Sequence, residues 1–195
     1  GLYKLKKKDL IVDVGCSDGT LLNCFKKLGF NNVVGVEPTN TYKFAKQKGI
    51  ETINEFFNTK SATKILKKYG RAKLITTTNV FAHIDNIDDV LSNITEILDK
   101  KNPSIFRFEV QYAGALIDNL LLPSIFHEHI SHYSLVSLSR FLSKHDFVMI
   151  DASINSIQHG SLVVSSTHKR NIEKFKPSNS LNKLLIHEST KANVY

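Results

Sequence analysis

Three histidines, a glutamate and a tyrosine fall within the seven residues His127-Glu128-His129-Ile130-Ser131-His132-Tyr133. Histidine titrates near neutral pH, so it can take a proton from carbon next to a carbonyl. A neighbouring carboxylate can fix or charge the ring, and Glu128 stands beside His129. Adjacent residues on an extended segment point opposite ways, so either Glu128 or His129 faces a substrate there. Two other readings stay open. His127, His129 and His132 could bind a metal, although a helical zinc site needs His-Glu-x-x-His and residue 131 is serine. Neither a cysteine nor a cluster of aspartates stands nearby, so no metal is expected. The histidines could also be hydrogen-bonded members of a structural loop. Acid–base chemistry is the preferred reading.

A second constellation lies near the N-terminus. Ile11-Val12-Asp13-Val14 is a short apolar run, Gly15-Cys16-Ser17-Asp18-Gly19 is a small-residue turn, and Thr20-Leu21-Leu22 opens an apolar-periodic helix. Strand, glycine turn and helix together bring backbone close to a ligand and aim free N–H groups at it. Glu37-Pro38 ends the next apolar run, where an acid can accept both ribose hydroxyl protons. A dinucleotide would also use that acid. However, Gly15 and Gly19 are spaced Gly-x-x-x-Gly rather than Gly-x-Gly-x-x-Gly, which serves a pyrophosphate poorly. Asp18 repels phosphate and suits a cation. S-adenosylmethionine carries an ammonium and a sulfonium and no phosphate, so it is the expected cofactor. Asp13 could orient the loop or the amine, and Phe56 could wall the adenine, unless it is a core residue. Asn79, Val80 and His83, after the fourth strand, are expected near the methionine end, with a contact-free helix entry as the alternative.

The elements that must hold these residues follow from periodicity. Strands are expected at Leu10 to Val14, Val33 to Val36, Glu51 to Ile53, Ala72 to Thr76 and Ile105 to Val110. Helices alternate with them: Thr20 to Leu28, Tyr42 to Lys48, Ser61 to Tyr69 with Ser61 as cap, and a strongly periodic helix through Leu98 capped by Asp85. Further helices are expected over Ala113 to Leu121 and Val136 to His145. A hairpin of Phe147 to Ala152 and Ser161 to Ser166 closes the pattern. This is an α/β layout, that of a class I (Rossmann-like) methyltransferase. It has a mostly parallel seven-stranded sheet, helices on both faces and a C-terminal antiparallel hairpin. The domain is expected over residues 1–170. Residues 171–195 read as a polar extension or truncated linker, with one more helix near Leu181 to Glu188.

Composition narrows the partners. The 195 residues carry a net charge of +8, almost all from lysine. A solvated lysine surface is the plain reading, and an anionic small molecule the functional one. Few arginines and no basic–aromatic cluster argue against a nucleic-acid partner. No apolar run reaches the ~18 residues of a membrane span, and the basic start lacks the apolar core of a signal peptide. Two cysteines, Cys16 and Cys24, make no disulfide framework and fit a reduced, cytoplasmic setting.

Several blocks occur in the order of one family: Val12-Asp13-Val14-Gly15 through Leu22, Gly35-Val36-Glu37-Pro38, Asn79-Val80-Phe81-Ala82-His83-Ile84, Phe108 to Tyr112, His127-Glu128-His129 and Gly160-Ser161-Leu162. The chain thereby resembles the S-adenosylmethionine-dependent C-methyltransferases of nucleotide-linked keto-deoxysugars. The resemblance implies C-methylation next to the keto group of such a sugar. It places the catalytic histidine on His129, with Glu128 beside it handling substrate or proton. The family commonly has tyrosine where Phe126 stands, so a hydroxyl role there would pass to Tyr133. The family's cysteine-rich zinc domain and its further C-terminal domain are not in this sequence, so a methyltransferase core alone is expected. Two alternatives remain: an O- or N-methyltransferase for another small molecule or RNA, and a non-catalytic cofactor-binding fragment.

Overall fold

A computed structural model describes residues 4–120, 131–157 and 160–191. Among the described residues, seven strands form one sheet in the order β3-β2-β1-β4-β5-β7-β6. They are β1 (Ile11–Val14), β2 (Val33–Val36), β3 (Glu51–Ile53), β4 (Leu74–Thr78), β5 (Ile105–Gln111), β6 (Phe147–Asn155) and β7 (Ser161–His168). The helices are α1 (Thr20–Lys27), α2 (Tyr42–Gln47), α3 (Thr59–Tyr69), α4 (Ile87–Ile97), α5 (Ala113–Asp118), α6 (Leu135–Lys144) and α7 (Asn179–Lys191). The expected α/β sheet with its closing antiparallel pair is what the chain forms.

The chain divides into two compact units. One comprises the residues up to Thr78 together with Asn86–Phe106. Here β1 pairs in parallel with β2 and β4, which sets Asp13 opposite both Gly35 and Thr76. Ile11, Val12, Leu22, Ile65, Ile75, Leu91, Ile94 and Ile97 are almost wholly buried and make its core. A strand buried on both faces reads as a continuous apolar run, which is why β1 and β2 are so legible.

Two caps differ from expectation. Asn58, not Ser61, caps α3: its Oδ1 accepts the Lys60 and Ser61 N–H groups at 2.9 and 3.2 Å. The Ser61 hydroxyl oxygen accepts the Asn58 N–H at 2.9 Å, so Ser61 is the far half of a capping box. Asn86, not Asp85, caps α4 through the Asp89 N–H at 3.1 Å. That helix also stops one residue early: Leu98 is extended and bridges Ala72.

The other unit comprises Asn79–Asp85 and residues from Arg107 onward. The antiparallel pair runs from Phe147 opposite His168 to Asn155 opposite Ser161, with one irregularity between Met149 and Asp151. Both strands exceed their expected lengths, because each continues as long as the other can pair with it. The tail folds back onto this pair. The Ser178 N–H donates to the Ile150 carbonyl at 2.8 Å, and the Ser180 hydroxyl to the Ala152 carbonyl at 2.6 Å. Leu181 is buried at the start of α7. One turn before the end of that helix, Glu188 caps α6, accepting the Leu135 and Val136 N–H groups at 3.0 and 2.7 Å.

Candidate functional site

The glycine turn belongs wholly to the first unit. Where β1 ends, the N–H groups of Gly15 and Cys16 both donate to the Val36 carbonyl, at 2.8 and 3.1 Å. The Gly19 N–H closes the turn on the Cys16 carbonyl at 2.8 Å. Gly19 is required here on two counts. Its φ is +75°, and a Cβ on it would stand 2.6 Å from Ile50 Cδ1 and 2.9 Å from Ala45 Cβ.

Two carboxylates lie behind this turn. Glu37, the residue after β2, is 5% exposed. Its Oε2 accepts the Ser17 N–H at 2.9 Å and its Oε1 the Thr39 N–H at 2.8 Å. Each oxygen keeps a lone pair for a ligand hydroxyl. Asp13 is 3% exposed, and its Oδ1 accepts the Thr76 hydroxyl at 2.6 Å. Burial pushes its carboxyl up to about 7, against the Thr76 hydrogen bond and with help from the nearby Glu37 charge. The Cys16 thiol is buried too. Desolvation and the charges of Asp13 and Glu37 push it up to about 12, which makes it inert. The Thr77 hydroxyl, on the residue opposite Val14 across the sheet, is buried without a hydrogen-bond partner among the described residues.

Asp18 is engaged at the other side of the turn. It accepts the Thr20 N–H at 3.0 Å and the Thr20 hydroxyl at 2.9 Å, and pairs with Lys48 at 2.6 Å. Lys48 and Thr20 hold its carboxyl low, at about 2. Its charge therefore has a protein partner already. Pro38 follows Glu37, and Asn54 ties this corner together, donating to the Glu37 and Pro38 carbonyls at 2.8 and 3.1 Å. Phe56, between β3 and α3, is 74% exposed, so it is not a core phenylalanine.

Asn79, Val80, His83 and Tyr133 are brought together in the second unit. Asn79 has φ +55°, and its N–H donates to the Glu109 carbonyl at 2.9 Å. Val80 leads into a 3-10 turn, Phe81–His83, in which the His83 N–H donates to the Val80 carbonyl at 3.0 Å. Phe81 stacks on Phe108 with centroids 5.1 Å apart. Tyr133 forms a parallel bridge with Tyr112 and donates its hydroxyl to the Phe81 carbonyl at 3.2 Å. Burial raises the Tyr133 phenol above its ordinary value, so it is a neutral donor. Glu128 and His129 lie outside the described residues. Among the described residues, no three His, Cys, Asp or Glu come together to hold a metal.

Sequence reasoning misses Thr76, Asn54 and Lys48, the partners of Asp13, Glu37 and Asp18. Thr76 lies 63 residues from Asp13 and meets it only through strand pairing. Thr76 stands in the middle of β4, and only the pairing of β4 with β1 sets it opposite Asp13.

Comparison with known proteins agrees with this geometry. Residues 2–152 match the family model described as "Methyltransferase domain". The C-methyltransferase NovU of Streptomyces niveus is 34% identical over 157 residues, 80% of this chain. The chain spans 37% of that relative's length. Among solved structures, magnesium protoporphyrin IX methyltransferase of Synechocystis PCC 6803, with bound SAH, has a TM-score of 0.59 at 13% identity. The match covers 82% of this chain and 74% of that one. A SAM-dependent methyltransferase from Anabaena variabilis has a TM-score of 0.62 at 14% identity, covering 85% of this chain and 79% of that one. These two likenesses are of fold. With the match spanning most of its length, the chain belongs to the methyltransferase domain family.

Proposed function

We propose that the chain is an S-adenosylmethionine-dependent C-methyltransferase acting on the carbon next to the keto group of a nucleotide-linked deoxysugar. The observation that carries the cofactor reading is the pair of buried acids, Asp13 and Glu37, behind a glycine turn that contains no basic residue. Two buried acids, of which Asp13 ionises when a cation binds beside it, suit a cationic ligand and disfavour phosphate. The 34% identity to a C-methyltransferase supports carbon as the acceptor.

The residues present fit that cofactor. Glu37 would accept the ribose hydroxyls with its remaining lone pairs, and Pro38 shapes the chain after it. Gly15, Cys16 and Gly19 keep the turn thin enough for close approach. Asp13 would answer the ammonium, the Thr77 hydroxyl supplies an unused polar contact, and Asp18 steadies the turn through Thr20 and Lys48. Phe56 would wall the adenine, and Asn79, Val80 and His83 would serve the methionine end. When bound, the cofactor brings an electrophilic methyl and its own leaving group. The protein then has to place and ionise the acceptor. His129 would take the proton from the acceptor carbon, Glu128 would orient the ring or the sugar, and Tyr133, a neutral phenol, would turn its one O–H from the Phe81 carbonyl to developing negative charge. The two free cysteines suit a reduced, cytoplasmic setting.

The test is turnover with S-adenosylmethionine and a panel of nucleotide-linked keto-deoxysugars. The product should carry one new carbon-bound methyl by NMR. His129→Ala should bind the cofactor normally, transfer no methyl, and fail to exchange the acceptor C–H with deuterated water. A methyl on oxygen or nitrogen, or full turnover by His129→Ala, would overturn the reading.

A further inference from the structure

Glu109 and Gln111 stand two residues apart on β5, so both project from the same face of the strand. Phe108 and Val110 turn to the other face and are buried. The two polar side chains are held in different ways. Glu109 Oε1 accepts Asn155 Nδ2 at 3.2 Å. Asn155 is itself fixed, its Oδ1 accepting the Ile157 N–H at 2.9 Å. The carboxylate is thus aimed by a neutral amide, and no cation among the described residues pairs with it. The Glu109 backbone is anchored as well, through its carbonyl to Asn79. Gln111 is 9% exposed, and its Oε1 is buried with no hydrogen-bond partner among the described residues. A buried acceptor left unpaired carries a free-energy cost, which a ligand or an ordered water relieves.

The surroundings mark this as a ligand position. Gln111 is the last residue of β5, and ligands of open α/β sheets sit beyond the carboxyl ends of strands. Tyr133, four residues after His129 in the sequence, meets the chain just past Gln111. Tyr133 bridges Tyr112, and the Ala113 N–H donates to the Tyr133 carbonyl at 2.9 Å. An acid and an amide carbonyl, side by side with no basic partner among the described residues, accept hydrogen bonds and offer few. They match a ligand that presents donors, such as ring hydroxyls or an amine, and not a phosphate or carboxylate.

We propose that Glu109 and Gln111 are substrate-binding residues that accept hydrogen bonds from hydroxyl or amino groups of the methyl acceptor, with Asn155 as the residue that positions Glu109. This rests on the reading of the acceptor as a sugar. The two acceptors orient the ring, and they discriminate against substrates in which the donor is deleted or capped. A site built to pair a hydroxyl rejects the analogue that lacks it far more strongly than a hydrophobic pocket rejects a missing methylene.

The test compares wild type, Glu109→Gln, Glu109→Ala and Gln111→Leu with nucleotide-linked keto-deoxysugars that differ by one ring hydroxyl. KM should rise about tenfold or more in each variant for the hydroxyl-bearing sugar. The preference over the deoxy counterpart should shrink, and affinity for S-adenosylhomocysteine should stay unchanged. Asn155→Ala should reproduce a weaker form of the Glu109 effect. Circular dichroism and the unchanged cofactor affinity establish that the variants fold. Wild-type turnover with unaltered KM and preference in the variants would overturn this proposal alone, leaving an ordered water as the partner of Gln111. A folded wild type that binds cofactor but neither binds nor methylates any keto-sugar would overturn the sugar reading, and this proposal with it.

Discussion

Glu37 Oε2 accepts the Ser17 backbone N–H at 2.9 Å, twenty residues back along the chain. One buried acid thereby fixes the tip of the glycine turn while keeping lone pairs for a ligand. Glu37→Ala removes both functions, and Glu37→Gln keeps the shape but loses the charge. Affinity for S-adenosylmethionine should fall about tenfold in Glu37→Gln and up to about a hundredfold in Glu37→Ala. Isothermal titration reads this directly, and unchanged affinity in Glu37→Ala would remove the ribose role.

Asp13 gives stability a specific pH dependence. Its carboxyl is raised from the ordinary 3.8 to about 7, so in that window the folded chain holds a proton that the unfolded chain has released. Stability should therefore fall as pH rises through the window and level off above it. Urea unfolding midpoints at a series of pH values test this. Asp13→Asn, which keeps an acceptor for Thr76, should lose this component of the slope. A cation bound beside Asp13 favours its ionised form. Binding of S-adenosylmethionine near pH 6 to 7 should thus release protons, seen as a buffer-dependent titration enthalpy.

Gly19→Ala tests the fit of the turn against α2 and the loop behind it. The new methyl meets Ile50 and Ala45, and the backbone stays at a φ of +75°. The expected loss is about 1–3 kcal/mol of unfolding free energy in urea, with cofactor affinity reduced as well. A variant as stable as wild type would contradict the packing described.

The two cysteines should separate by reactivity. Cys16 is buried with its thiol pushed up to about 12, whereas Cys24 is exposed. A thiol-reactive chromophore should label one cysteine quickly in the native protein and both after denaturation. Peptide mapping should place the fast label on Cys24.

Much of this was legible in the residues, and the limits have physical causes. β1 and β2 are short, continuous apolar runs buried on both faces, and α4 follows its period cleanly, so all three are plain in the sequence. Caps are harder, because Asn58 and Ser61 both favour such positions and only the backbone angles decide between them. The β6–β7 pair is longer than its own pattern suggests, since pairing is settled by the partner strand. α7 carries few apolar residues, and its place depends on Leu181 and Glu188 finding partners far back in the chain. At the site, Asp13, the glycines and Glu37 stand out by spacing. Thr76 and Lys48 do not, because their roles exist only after strands and helices pack.

The most direct test of the central claim is isothermal titration of S-adenosylmethionine and S-adenosylhomocysteine into the folded chain. The expected result is one site per chain for each ligand, with Glu37→Ala binding both more weakly and His129→Ala binding both as wild type does. A folded chain that binds neither ligand would contradict the reading of the glycine turn and its two buried acids as a seat for the methyl donor.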